Sequence, residues 1–256
     1  MDRNSFQKLF DLSGRTAIVT GGTRGIGLAI AEGFACAGAR LVVAGRKPDA
    51  CERAAARLRE LGADAIGVPT HLGDIEAVRA LVQTAADTFG GIDIVVNNAA
   101  NALAQPLATM EPAAVEKSFG VNVQGPLFLV QAALPYLRAS EHAAVLNLGS
   151  VAALQFAPAL SMYAAGKAAL LSFTRSMAAE FASDGIRVNA MAPGAVDTDM
   201  VRKNPPEFVA AMAGAALLGR IAEPDEMVGT ALLLCSDAGS FVTGQTFLID
   251  GGTVAR

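Results

Sequence analysis

Thr16-Ala17-Ile18-Val19-Thr20 runs directly into Gly21-Gly22-Thr23-Arg24-Gly25-Ile26-Gly27. The first five residues form an apolar, β-branched run with the length of a buried strand. The glycines after it permit a tight turn and let a phosphate approach backbone N–H groups where a helix starts. Beyond them Ile26, Ile30, Ala31 and Phe34 recur at helical spacing. The spacing is GxxxGxG rather than the GxGxxG of the best-known dinucleotide fingerprint. The turn therefore takes its meaning from the units that follow it.

Those units repeat the pattern. Strands are expected at Leu41–Ala44, Ala65–Val68, Ile92–Asn97, Ala143–Leu148, Ile186–Met191 and Gln245–Ile249. Helices are expected at Ala50–Leu61, Glu76–Phe89, within Ala113–Leu137, and from about Met162 to Ala182. Strand and helix alternate without a shift in composition. The chain is thus expected to be α/β, a single Rossmann-type domain over residues 1–256. Its architecture is a doubly wound, parallel, seven-stranded sheet with helices on both faces. One irregular insert, about 195–219, follows a strand and contains Pro205-Pro206 and the apolar piece Phe208–Leu218. A long connection at the carboxyl end of a sheet is expected to act as a substrate lid.

Composition narrows the function classes. Hydrophobic residues make up 52% and charged residues 17% of the 256, as a parallel sheet covered on both faces requires. The net charge of −4 comes with no basic stripe, which argues against a nucleic-acid partner. Met1–Leu12 carries Asp2, Arg3, Lys8 and Asp11, unlike a secretory signal. The apolar runs Gly125–Leu137 and Phe208–Leu218 are too short or too broken to span a bilayer. A cytoplasmic protein is expected. Cys36, Cys51 and Cys235 are far apart, and His71 and His142 lie near no acidic or thiol cluster. Neither a disulfide framework nor a metal site is expected.

Tyr163-Ala164-Ala165-Gly166-Lys167 places a phenol and an ammonium four residues apart, on one face of a helix. Alone, such a pair reads as an exposed helical face. Its setting changes that reading. Thr20-Gly21…Gly25-Ile26-Gly27, Asn97-Asn98-Ala99-Ala100, Tyr163…Lys167, Pro193-Gly194 with Thr198, and Ile249-Asp250-Gly251-Gly252 come in order across nearly the whole chain. Together they resemble the short-chain dehydrogenase/reductase family, including members similar to carbonyl reductases and 3-oxoacyl-carrier-protein reductases. The segment at Ala100 departs from the family pattern, which has Gly there.

The resemblance implies an oxidoreductase that moves a hydride between a nicotinamide cofactor and a carbonyl or secondary alcohol. It implies Asn122, Ser150, Tyr163 and Lys167 as the catalytic set, with no metal. Tyr163 is the acid–base, Ser150 holds the carbonyl oxygen, Lys167 bonds the nicotinamide ribose, and Asn122 holds a relay water. The implied cofactor contacts are Gly21, Thr23, Arg24, Gly25, Ile26, Gly27, Arg46, His71, Leu72, Asn98, Ala99, Tyr163, Lys167, Pro193, Gly194, Val196 and Thr198. Where the family usually carries an acidic residue near adenine this chain has His71, which either bonds the base or faces solvent. A free phenol titrates near about 10. Bringing it close to neutrality takes roughly 4 kcal/mol of differential stabilisation. A nearby cation, Lys167 or the oxidised nicotinamide, is expected to outweigh burial.

The second strand ends Ala44-Gly45-Arg46-Lys47. An acidic residue at this place would bond a free ribose 2′-hydroxyl and repel a 2′-phosphate. The family's acid for NAD aligns with Gly45, while Arg46 and Arg24 can meet a phosphate. NADP(H) is expected, with NAD(H) as the alternative. Pocket candidates are Leu103, Leu154, Phe156, Tyr163, Pro193, Met200 and Phe208, mostly apolar. They favour a ketone or alcohol with a hydrophobic part; 3-oxoacyl thioesters and sugars or polyols are the other substrate classes. A non-catalytic dinucleotide-binding protein and a nucleotide-sugar epimerase or dehydratase are the rival functions. Apolar faces on the helices within Ala113–Leu137 and Met162–Ala182, together with the resemblance, predict a homotetramer.

Overall fold

The computed structural model describes residues 1–156 and 159–254. Seven parallel strands form one sheet: β1 Thr16–Thr20, β2 Arg40–Gly45, β3 Ala65–Pro69, β4 Ile94–Asn97, β5 Ala144–Leu148, β6 Arg187–Pro193 and β7 Thr246–Ile249. Their spatial order is β3-β2-β1-β4-β5-β6-β7. The order reverses at β1, so a crevice opens between the carboxyl ends of β1 and β4. Ligands of doubly wound sheets bind at such a point. The expected architecture is the observed one.

Ten α-helices occur among the described residues. They are α1 Arg3–Lys8, α2 Gly25–Cys36, α3 Pro48–Glu60, α4 Ile75–Phe89, α5 Pro112–Phe119, α6 Gly125–Ala139, α7 Ser161–Phe181, α8 Asp199–Arg202, α9 Pro206–Ala215 and α10 Val228–Cys235. Side chains of successive strand residues point to opposite faces, and the core divides accordingly. Val19, Val43 and Leu146 pack with Phe34 of α2, Leu58 of α3 and Leu234 of α10. Ile18, Val42 and Val145 pack with Leu81 of α4, Leu129 of α6 and Met177 of α7. β1, β4 and β5 are buried along their whole length, which explains their predominantly apolar sequences. None of the helices described is long and apolar enough to cross a membrane.

Three differences from the sequence reading matter. The long helix expected within Ala113–Leu137 is two helices, α5 and α6, joined by a π-helical turn over Gly120–Gln124. Pro126 lacks the N–H that would continue the α pattern, and a wider turn accommodates its ring. The glycine at 125 also lies hard against the β3 loop, where a Cβ would come within 2.5 Å of the Leu72 carbonyl oxygen. The helix α10 gives no amphipathic signal because VGTALLLC is apolar throughout. Within the insert, α9 ends at Ala215, so Leu217 and Leu218 lie beyond it and are exposed.

Candidate active site

A cleft of about 860 Å³ runs across the carboxyl ends of the strands. Its floor is the glycine turn. Thr20 Oγ1 accepts hydrogen bonds from the Asn98 and Ala99 N–H groups at 3.0 and 3.2 Å and donates to the Val96 carbonyl at 3.1 Å. Asn98 Nδ2 returns the tie, donating to the Thr20 and Gly21 carbonyls at 2.8 and 3.2 Å. This lacing leaves no room for side chains. A Cβ at Gly21 or Gly27 would fall 2.7 or 2.3 Å from Asn98 Nδ2, and Gly21 has a φ of +64°. The turn is thus a bare backbone cradle at the start of α2, of the kind that admits a phosphate.

The end of the cleft that carries Ser150, Tyr163 and Lys167 is built on β5 and α7. Asn97 Nδ2 donates to Asn147 Oδ1 at 2.9 Å, and Asn147 Nδ2 donates to Thr174 Oγ1 at 2.9 Å, all three being buried. This chain fixes α7 against the sheet, and α7 carries Tyr163 and Lys167. Ser150 lies two residues beyond the end of β5, after Gly149. Its Oγ accepts from the Ala152 N–H at 3.2 Å, which orients the hydroxyl toward the cleft it lines. The Tyr163 side chain lines the same cleft as Ser150. Lys167 is 2% exposed and donates to the Leu148 carbonyl, with Nζ 5.8 Å from the centre of the Tyr163 ring.

The electrostatics differ from the expectation. Burial holds the Tyr163 phenol above its ordinary value of 10, and the neighbouring Ser150 hydroxyl only partly offsets this. Burial also pushes Lys167 down from 10.5 to about 8. The Leu148 carbonyl favours the ammonium, but desolvation outweighs it. The lysine does not lower the phenol in the protein alone, because its own charge is weakened by the same burial.

Every residue expected at the cofactor lines this one cleft, from Gly21, Thr23, Arg24, Gly25, Ile26 and Gly27 through Arg46, His71, Leu72, Asn98 and Ala99 to Pro193, Gly194, Val196 and Thr198. Ser150, Tyr163 and Lys167 line it too. Asn122 stands behind the wall, buried in the π-helical turn, with its amide on the Asn101 backbone. His71 Nδ1 accepts from the Gly73 N–H at 3.2 Å. Of the pocket candidates, Tyr163, Pro193 and Met200 line the cleft. Leu103, Leu154 and Phe156 do not, Phe156 being 91% exposed, and Phe208 lines a separate shallow groove on α9.

The sequence reading misses Arg53, Lys117, Val121, Asp199 and Lys203, which also line the cleft. Arg53 carried a signal, since Ala50 and Arg53 share one face of α3 by their spacing. The others reach the cleft from elements whose orientation only the fold sets. Bases dominate: Arg24, Arg46, Lys47 and Arg53 line it, along with Lys117, Lys167 and Lys203, while Asp199 is its single carboxylate among the described residues. A bare glycine cradle, a cationic lining and a volume for a large ligand fit a dinucleotide carrying phosphates.

A family model described as Enoyl-(Acyl carrier protein) reductase matches residues 21–254. The short-chain dehydrogenase/reductase SDRA of Arabidopsis thaliana is 36% identical over 248 residues, covering 96% of this chain and 96% of its own. The chain belongs to the short-chain dehydrogenase/reductase family. It is an NAD(P)-dependent oxidoreductase that acts on alcohols or carbonyl compounds. Among its relatives, the 3-oxoacyl-acyl-carrier-protein reductase of rhamnolipid biosynthesis from Pseudomonas aeruginosa is 38% identical over 251 residues, covering 95% of this chain and 97% of its own. A gluconate 5-dehydrogenase from Burkholderia cenocepacia, solved with NADP and tartrate, superposes with a TM-score of 0.93 at 34% identity, over 98% of this chain and 99% of its own. Short-chain dehydrogenases/reductases with different substrates thus share this backbone.

Proposed function

We propose that the protein interconverts a ketone and its secondary alcohol with NADP(H), using Tyr163 as acid–base. The observation that carries this reading is the convergence of Ser150, Tyr163 and Lys167 on one cleft shared with the glycine cradle. When bound, the cofactor supplies or accepts the hydride. The protein's own residues manage the oxygen. Ser150, held by the Ala152 N–H, donates to the carbonyl oxygen and sets it beside the phenol. A phenol held protonated by burial is in the state needed to deliver a proton to the developing alkoxide. Lys167 would hold the nicotinamide ribose and pass a proton back to the Tyr163 phenolate, to be reprotonated in turn from solvent, and Asn122 fixes the loop that borders the same space.

Besides the polar Asn101, the cleft is lined by Ala100, Ala102, Pro193, Gly194, Met200 and Val201. This favours a substrate with a hydrophobic part around its carbonyl. The 3-oxoacyl thioester and polyol readings are the alternatives, and the names of the Pseudomonas and Burkholderia relatives keep both in view. We assign residues 1–256 to one domain, with about 195–219 as its lid. The assembly we propose is a homotetramer, with Leu127, Leu134 and Tyr136 of α6 only partly buried within the subunit. A monomeric mass in solution at micromolar concentration would contradict it. The functional reading is tested by a panel of ketones, alcohols, 3-oxoacyl thioesters and polyols, followed by nicotinamide absorbance. Turnover of apolar ketones supports it, and a preference for polyols overturns it.

A further inference from the structure

Among the described residues, Asp199, the first residue of α8, is the single carboxylate in a cleft otherwise lined by bases and neutral groups. Its Oδ2 meets Arg24 Nη1 at 3.3 Å, linking the glycine turn to the lid. Among the described residues no other base of this cleft is in an ion pair. We propose that Asp199 is an internal counter-ion that holds Arg24 until a phosphate of the dinucleotide takes it, and so sets how tightly and how long the cofactor is held. The inference rests on the dinucleotide reading of the cleft.

The surroundings make Arg24 the natural partner. Arg202, on the same short helix, is engaged by both oxygens of Asp197 at 2.7 and 2.8 Å. The root of the lid is anchored, with the Asp197 N–H donating to the Ala222 carbonyl at 2.7 Å and the Ala222 N–H donating to the Ala195 carbonyl at 2.9 Å. Thr198 packs on the glycine turn, where a Cβ at Gly25 would come 3.1 Å from its Cγ2. Asp199 is thereby presented at the cradle rather than left to swing on a free loop. Its bond with Arg24 joins two solvent-exposed side chains, 66% and 53% accessible, so it is weak and readily exchanged. An arginine–phosphate pair is shorter, charge-assisted and can be two-pronged. Arrival of a phosphate therefore draws Arg24 away and leaves Asp199 facing an anion. That like-charge approach costs affinity and hastens release. Lys203, four residues further on and lining the same cleft, is the base placed to take up the freed carboxylate.

The experiment uses the full-length protein and its Asp199→Asn, Arg24→Gln and doubly substituted forms. Calorimetry gives Kd for NADPH and NADH, and stopped-flow displacement gives the dissociation rates. Asp199→Asn is expected to bind cofactor about 2–5-fold more tightly, with a slower off-rate. More than half of that gain should vanish in the Arg24→Gln background. A gain with NADPH alone assigns Arg24 to the 2′-phosphate, and an equal gain with both cofactors assigns it to the pyrophosphate; either supports the exchange. Unchanged or weaker binding by Asp199→Asn, or the same gain with and without Arg24, overturns it. A parent protein that binds neither cofactor would overturn the dinucleotide reading instead.

Discussion

The Asn122 side chain satisfies both backbone groups of Asn101: Oδ1 accepts from its N–H at 2.8 Å and Nδ2 donates to its carbonyl at 2.9 Å. Nδ2 also donates to Ser118 Oγ at 3.2 Å, and the residue is only 1% exposed. Asn101 follows the Asn98–Ala99 segment that laces the glycine turn, so Asn122 reaches the cofactor cradle through the loop it clamps. Asn122→Ala leaves two peptide groups without their partner in a part-buried place. The expected loss of stability is about 1–3 kcal/mol. Urea denaturation checks it, and kcat should fall with it. Undiminished stability would show that the clamp is replaced by water at no cost.

Tyr163→Phe keeps the ring and removes the hydroxyl proposed as the proton donor. Turnover is expected to drop by roughly 10²–10⁴-fold, while Kd for the cofactor changes by less than about twofold. Steady-state kinetics with an accepted ketone, together with a cofactor titration, read the two quantities separately. A variant within tenfold of the parent turnover, with an unchanged fold, would remove Tyr163 as the acid–base.

Much of this architecture is legible in the sequence, for identifiable reasons. β1, β4 and β5 are covered on both faces, so their residues had to be mostly apolar, with the buried Asn97 and Asn147 paired to each other. The glycine turn is legible because backbone packing against Asn98 forbids any side chain at Gly21 and Gly27. Tyr163 and Lys167 are legible because one helix carries both at a fixed spacing. Asp199 is different. Nothing local marks it, since its meaning comes from Arg24, 175 positions away in the chain. Lys117 and Lys203 also become cleft residues only once α5 and α8 are placed. The break between α5 and α6 was masked by continuous helical periodicity through Gly120–Gln124, where a single wider turn changes the direction of Asn122 without disturbing the apolar pattern.

The Lys167 ammonium carries a folding cost with a definite pH dependence. Its value is lowered from 10.5 to about 8 by burial. Between those two values the unfolded chain holds more protons at this site than the folded one, so stability rises with pH. The penalty is fully present below pH 8 and is lifted as pH passes through that window. It amounts to about 3 kcal/mol. Comparing urea denaturation of the parent and Lys167→Met isolates it from other groups, such as Cys235, whose thiol is pushed up to about 12 by burial and titrates with the opposite sign. The parent should gain on the variant between pH 8 and 10.5. A difference that stays flat across this range would show that the amine is solvated in the folded protein.

Cofactor choice rests on the end of β2. Gly45 and Arg46 line the cleft, with Lys47 and Arg53 beside them and no carboxylate at this end. A 2′-phosphate would find cations here, and a free ribose hydroxyl would find no acid to accept its proton. Gly45 is also tightly enclosed: a Cβ there would lie 2.8 Å from Thr23 Cγ2 and 3.4 Å from Cys51 Sγ. Introducing an acid at this position therefore requires the Thr23 side chain to rotate, which is cheap for a terminal methyl at a solvent-facing turn. Gly45→Asp with Arg46→Ala should reverse the preference from NADP(H) toward NAD(H). Arg46→Ala alone, which creates no crowding, should weaken NADP(H) about tenfold or more and leave NAD(H) nearly unchanged, since one charge-assisted contact of about 1.5–3 kcal/mol is lost. The comparison is kcat/KM for both cofactors in all three proteins. A parent that prefers NAD(H), or an Arg46→Ala variant equally active with both, would assign the 2′-phosphate to no residue of this strand end.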